Sequence, residues 1–147
     1  MTTTISRAGP ADLDALAALF DAYRQFYGQP GDLARARRWL RERLRFGESV
    51  VLLARRDGAL AGFAQLYPMF SSVRTAKTWI LNDLYVDAGA RRQGVARTLL
   101  DAAAAFAHAD GAAGIALETA RDNTAARALY RAAGWHEDDT QWYSLAL

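Results

Sequence analysis

The chain has 147 residues, 52% of them hydrophobic and 23% charged, with a net charge of +2. That length makes one domain over residues 1–147, with a sizeable core and little room for a second, and the composition is that of an ordinary globular protein. The absence of cysteine excludes disulfides, thiolate metal sites and a cysteine nucleophile, and with only two histidines, His108 and His136, no metal site is expected. No run is long enough to span a membrane, and residues 1–5 lack the apolar core of a signal peptide, so a cytoplasmic protein is expected.

Residues 2–7 read as an opening strand. Gly9-Pro10 starts a helix, with Asp12 and Asp14 near its positive end. Leu13, Leu16, Ala17, Phe20, Tyr23 and Tyr27 then recur at three- and four-residue spacing, which predicts one buried stripe. Asp32 caps a second helix with Leu33, Ala36, Leu40 and Leu44 inward, ending near Gly47. Its six arginines, Arg35, Arg37, Arg38, Arg41, Arg43 and Arg45, are either an anion- or nucleic-acid-binding patch or a solvated face. The chain holds seventeen arginines against one lysine, Lys77, beside many alanines; this usage reads as a coding bias, and Glu42 favours the solvated face.

Residues 49–56 and 59–67 form strands joined by the turn signal Asp57-Gly58. After a connection over 68–77, a third strand occupies 78–86. A helix from about 93 to 109 carries Val95, Leu99, Ala103 and Phe106 on one face, and residues 115–119 read as a buried strand. Asn123 caps a helix through about 132, closed by Gly134, and one or two final strands lie within 135–147. Trp79 and Trp142 read as core or interface aromatics. The order β-α-α-β-β-β-α-β-α-β implies an α/β (α+β) domain. Its mixed, mostly antiparallel twisted sheet has six to seven strands, with about four helices on both faces. The unit around residues 84–119 is the parallel part.

The stretch Leu84-Tyr85-Val86 running into Arg91-Arg92-Gln93-Gly94-Val95-Ala96-Arg97 is the most informative. A strand, then a basic glycine loop, then a helix leaves unpaired N–H groups at a helix start, and the helix dipole adds to their pull on a phosphate-like anion. Gly94 lets backbone approach a ligand closely. By composition alone this loop asks for a pyrophosphate.

Arg91-Arg92-Gln93-Gly94-Val95-Ala96 also resembles the Gln/Arg-x-x-Gly-x-Gly/Ala signature of the GNAT superfamily of N-acetyltransferases. A second segment, Asn123 through Ala126, Leu129-Tyr130 and Gly134-Trp135, resembles that family's other signature at the family's spacing. The phrases Gly62 to Pro68, Tyr23 to Tyr27 and Leu81 to Leu84 look most like the branch with yeast histone- and D-amino-acid-acetylating enzymes. The resemblance implies acetyl-CoA as co-substrate, with its pyrophosphate on the amides of residues 91–97. Its pantetheine arm would lie along the backbone of Leu84, Tyr85 and Val86, and near Asn123.

The resemblance also gives Tyr130 the role of protonating the departing thiolate, which suits a phenol that stays protonated at neutral pH. On residue pattern alone, Tyr130 is a core-edge aromatic and Asn123 a helix cap. Asp83 and Glu118 are the candidate bases, with ordered water as relay, against readings as a solvated edge carboxylate and a structural acceptor. Tyr23, Tyr27, Gln65, Tyr67, Asn82 and Asp83 are the candidate acceptor-binding residues, and Arg24 is a candidate partner for an acceptor carboxylate. The acceptor implied is a small amine or amino acid, or a protein amine, and exposed apolar residues near the last strands allow a homodimer. The competing classes are a non-catalytic acyl-CoA-binding regulatory domain and a nucleic-acid-binding module built on the arginine helix.

Overall fold

The computed structural model describes residues 2–147. Its architecture follows from strand β2 (Val50–Arg56). Val50, Leu52 and Ala54 face one side of it and Val51 and Leu53 the other, and all five are buried. A strand that is apolar on both faces needs a layer on each. Helices α1 (Leu13–Phe26) and α2 (Leu33–Arg45) supply one layer. Their Leu16, Ala17, Phe20, Ala36 and Leu40 pack on Val51, Leu53 and Phe63. Helix α3 (Val95–Ala109) supplies the other, setting Val95, Leu99, Leu100, Ala103 and Ala107 against Val50, Leu52, Ala64 and Leu66. Each fully buried leucine in these layers is worth about 1.5–3 kcal/mol relative to exposure.

Strands β1 (Thr3–Arg7), β3 (Ala59–Ser71), β4 (Ala76–Val86) and β5 (Ile115–Ala116) complete a sheet in the order β1-β2-β3-β4-β5. Every pairing is antiparallel except β4 with β5, joined in parallel through α3. Helix α4 (Thr124–Ala132) follows β5. No helix among the described residues is long and apolar enough to cross a membrane. The mixed α/β class is as expected from the sequence.

Several boundaries differ, each for a physical reason. The two long hairpin strands run into what reads as a connection, because β3 continues to Ser71 and β4 starts at Ala76. Pro68 is tolerated in β3 because it lies past Val50, where β2 has ended and only β4 is paired. Tyr27 falls just beyond α1 and is 65% exposed, so the buried stripe stops short of it, and Leu33, first residue of α2, is also exposed. The strand expected over 115–119 is paired only at Ile115–Ala116, and it is half-buried at best.

The largest difference lies at the end of the chain. Among the described residues the sheet has five strands, not six or seven, and residues 135–147 hold none. A helix closes its own hydrogen bonds, but a strand exists only beside another strand. Here no sheet edge of the same chain runs next to that segment, and Trp142, expected as a core or interface aromatic, is 77% exposed.

Candidate active site

Pairing between β3 and β4 carries one irregularity. Gln65 sits opposite Asp83 while Leu66 sits opposite Leu81, so Asn82 is an extra residue, a β-bulge. The bulge changes the side-chain parity of β4. Leu81 and Leu84 both pack on the α3 layer although three residues apart, and Asp83 is turned toward α1. A bulge also bends its strand. Pairing with β5 stops at Ile80, just before the bulge, and the remainder of β4 parts from residues 117–120.

Asp83 is only 6% exposed and is held by three donors. Tyr23 donates its hydroxyl to Oδ1 at 2.8 Å, Asn82 donates Nδ2 to the same oxygen at 3.1 Å, and Gln65 donates Nε2 to Oδ2 at 2.7 Å. Fully buried Gln65 accepts in turn from the Ser49 hydroxyl at 2.9 Å. No buried side-chain polar atom among the described residues lacks a partner. Burial pushes the Asp83 carboxyl above the usual carboxylate range, and the bonds from Gln65, Tyr23 and Asn82 pull the other way. Burial, followed by the neighbouring Asp83 charge, likewise raises the Tyr23 hydroxyl far above a normal phenol. Tyr67 is raised by burial and by Asp83, with a hydrogen bond from Trp39 opposing.

The gap between β4 and residues 117–120 is a cleft of about 470 Å³. Tyr23, Tyr27, Leu81, Asn82 and Leu84 line one side, and Leu117, Glu118, Thr119, Ala120, Asn123 and Tyr130 the other. Tyr130 is half-buried on α4, and burial, then the nearby Tyr27, raises its hydroxyl above the ordinary phenol value. A proton on Tyr130 is therefore secure at neutral pH. Asn123 caps α4, its side chain accepting from the Ala126 N–H at 3.3 Å.

Beyond Val86 the chain turns through the short 3-10 helix Ala88–Ala90 into the start of α3. Helices α2 and α4 are capped by the side chains of Asp32 and Asn123, whereas α3 begins at Gly94 with φ of 78° and no side-chain cap. Its first-turn N–H groups therefore point out unused, the arrangement that binds anions. Arg92, at φ of 61°, holds a left-handed conformation that costs a non-glycine residue about 1–2 kcal/mol. Arg91 ties the loop to the cleft wall: its Nε donates to the Val86 carbonyl at 3.1 Å, and its guanidinium lies over the Phe26 and Tyr85 rings.

The candidate residues thus divide. Tyr23, Tyr27, Asn82, Leu84, Glu118, Asn123 and Tyr130 share one cleft. Gln65 and Asp83 stand behind its wall and reach it through Tyr23 and Asn82. Tyr85 meets Tyr23 edge to face and Tyr67 lies on the α2 side, and neither lines the cleft. Arg91, Arg92, Gln93 and Gly94 are exposed at the start of α3, while the side chain of Val95 is in the core and that of Ala96 is half-buried. Arg97 is bonded to Asp101 at 3.0 Å on the outer face of α3. Arg24 is bound to Asp21 at 3.0 Å with its side chain 15% exposed, so it does not serve the cleft.

Two arginines of α2 are likewise engaged, Arg37 with Asp14 and Arg43 with Glu42 and Glu48. Sequence reasoning did not single out Leu117, Thr119 and Ala120, which line the cleft. They follow a parallel strand, where open sheets place their ligands, so a signal for them was there. Phe26, in the stretch Tyr23 to Tyr27 expected to shape the acceptor pocket, does not line the cleft and lies under the Arg91 guanidinium.

The model of the acetyltransferase (GNAT) family matches residues 14–135. The chain is 45% identical over 134 residues to the uncharacterized N-acetyltransferase YhfO of Bacillus subtilis, covering 91% of this chain and 90% of that one. It is 35% identical over 98 residues to a probable acetyltransferase of Haemophilus influenzae, covering 66% and 67%. A crystal structure of a probable acetyltransferase, 42% identical, has a TM-score of 0.93 and covers 98% of this chain and 97% of that one. By its family model and these likenesses, this chain belongs to the GNAT acetyltransferase family.

Proposed function

We propose that this acetyltransferase moves an acetyl group from acetyl-CoA to a primary amine by direct attack within a ternary complex. One observation carries the reading. A single cleft holds a protonated phenol, Tyr130, on one wall and a carboxylate-backed phenol, Tyr23, on the other, and the β4 wall runs on to the uncapped start of α3. The amides of residues 93–97 and the side chains of Arg91 and Arg92 would hold the pyrophosphate, and the backbone of Leu84, Tyr85 and Val86 the pantetheine arm. The amine nitrogen forms a bond to the thioester carbon, the C–S bond breaks, and the sulfur leaves with its electron pair and takes the Tyr130 proton.

The attacking ammonium must first lose a proton. Asp83 is too buried to touch the amine, but Tyr23, which lines the cleft and donates its hydroxyl to Asp83, bridges the two. The proton passes to the Tyr23 oxygen as the Tyr23 proton passes to Asp83, a relay made easier by a carboxyl that already binds protons above the usual range. Glu118, exposed on the opposite wall, is the only charged side chain among the described residues that line the cleft. With Arg24 engaged by Asp21, the lining offers an acceptor carboxylate no cation. This favours a small cationic amine, or the amine of a protein side chain, over an amino acid. Such a reaction fits a cytoplasmic protein, where acetyl-CoA is at hand.

The test is acetyl-CoA turnover against polyamines, aminoglycosides, D- and L-amino acids and histone-like peptides. Turnover with a carboxylate-free amine supports the reading, and turnover confined to amino acids overturns the acceptor assignment. Failure of acetyl-CoA to raise the melting temperature overturns the whole of it.

A further inference from the structure

Helix α1 separates two hollows. Tyr23 and Tyr27, four residues apart, line the cleft, whereas Phe20 and Arg24, also four apart, line a groove between α1 and α2. The groove measures about 350 Å³, a size that suits a small organic ligand. Buried Phe20 and Ala36, with the Trp39 ring at 45% exposure, give it an apolar lining. The loop beside it is pinned. Buried Asp21 accepts from Arg24 at 3.0 Å, from Gln25 at 3.2 Å and from the Asp32 N–H at 3.0 Å. The hollow is therefore preformed, and the charge of Arg24 is already answered.

The arginines of α2 are not alike. Arg37 and Arg43 are ion-paired, and Arg45 lies over the Phe46 ring. Arg35, Arg38 and Arg41 have no carboxylate partner among the described residues, and two of these three line the groove. Glu42, the one carboxylate among the described residues of the lining, is held by Arg43 at 3.4 Å. Each unpaired guanidinium offers a planar fork of donors to a carboxylate or phosphate. Trp39 adds a flat apolar surface, fixed by the Arg43 guanidinium 4.1 Å from its ring centroid.

We infer that the groove between α1 and α2 is a second ligand site, which takes a small aromatic carboxylate or phosphate monoester. The anionic end meets Arg35 and Arg38, and the ring lies against Trp39 and Phe20. This ligand is not the acetyl acceptor, because the groove contains none of Tyr23, Asp83 and Tyr130. The inference uses no part of the acetyl-transfer reading and stands if that reading falls.

Nuclear magnetic resonance titration of the full chain tests it, reading the Trp39 indole N–H signal, assigned by its loss in Trp39→Phe. The probes are benzoate, phenyl phosphate, uncharged benzyl alcohol, inorganic phosphate and a single-stranded oligonucleotide. The expected result is a saturable shift with benzoate or phenyl phosphate, the tighter of the two naming the anion. Benzyl alcohol and inorganic phosphate, each lacking one half of the ligand, should bind about tenfold more weakly. Arg35→Gln combined with Arg38→Gln should weaken the tighter probe about thirtyfold. Arg41→Gln combined with Arg45→Gln removes the same charge outside the groove and should change binding less than about twofold. The inference is overturned if neither aromatic anion moves the signal, if benzyl alcohol or inorganic phosphate binds as tightly, or if both double variants weaken binding equally. A signal moved by the oligonucleotide alone overturns it too and marks a nucleic-acid face.

Discussion

The two walls of the cleft are built in opposite ways. The β4 wall is flanked by β3 and backed by helices on both faces, with Leu81 and Asp83 buried and every polar group behind it paired. The opposite wall, from residue 117 through α4, has no fully buried residue, and its strand is two residues long. A dense wall holds reactive groups to a fixed geometry, and a sparse one opens at low cost to admit ligands. Substitutions on the first wall should therefore cost stability, and those on the second should cost turnover alone.

The largest expected effect breaks the dense wall. A Cβ at Gly62 would lie 2.7 Å from the Tyr85 carbonyl oxygen and 3.2 Å from Leu99 Cδ1, so Gly62→Ala must push β3 from β4 or α3. A loss of about 3 kcal/mol is expected, read as a fall of about 6–12 °C in a thermal melt. Tyr130→Phe probes the sparse wall: kcat should fall about a hundredfold while the melting temperature and acetyl-CoA affinity hold. A variant with full turnover would remove Tyr130 from the acid role.

Gln65→Leu sharpens the contrast, since it leaves Asp83 Oδ2 and the Ser49 hydroxyl buried without partners. It should cost about 1–3 kcal/mol by denaturant unfolding, and lower turnover by loosening Asp83. Gly94→Ala meets no atom within 4 Å, so only the left-handed backbone is penalised, by about 1 kcal/mol. Its clearer readout is weaker acetyl-CoA binding by calorimetry.

The smallest effect concerns pH. The Asp83 carboxyl binds its proton more tightly folded than unfolded. Its contribution to stability is therefore full below the unfolded value and is lost as pH rises through the elevated folded value. Melting temperatures of Asp83→Asn should vary less across that acidic window than those of the parent. An unchanged slope would show that Asp83 titrates normally.

The anion loop and α4 were legible in the sequence because each is a local object. Gly94 before an amphipathic run, and Asn123 before another, declare a helix start within a few residues. The hairpin of β2 and β3 was legible for the same reason, from two apolar runs around Asp57-Gly58. Gln65 facing Asp83 was not, since that pair depends on the register of β3 against β4, which the bulge at Asn82 shifts. Arg24 and Arg97 read as free cations because nothing local tells which carboxylate folds onto them.

By itself the sequence determined the family, the helix starts, the β2–β3 hairpin and the residue types of the site, all written in short windows of chain. Only the tertiary structure decided that Asp83 lies buried behind Tyr23, that β4 and β5 part at a bulge, and that the last segment is left unpaired. Helices satisfy their hydrogen bonds from within. Strands, clefts and buried carboxylates take their meaning from neighbours distant in sequence.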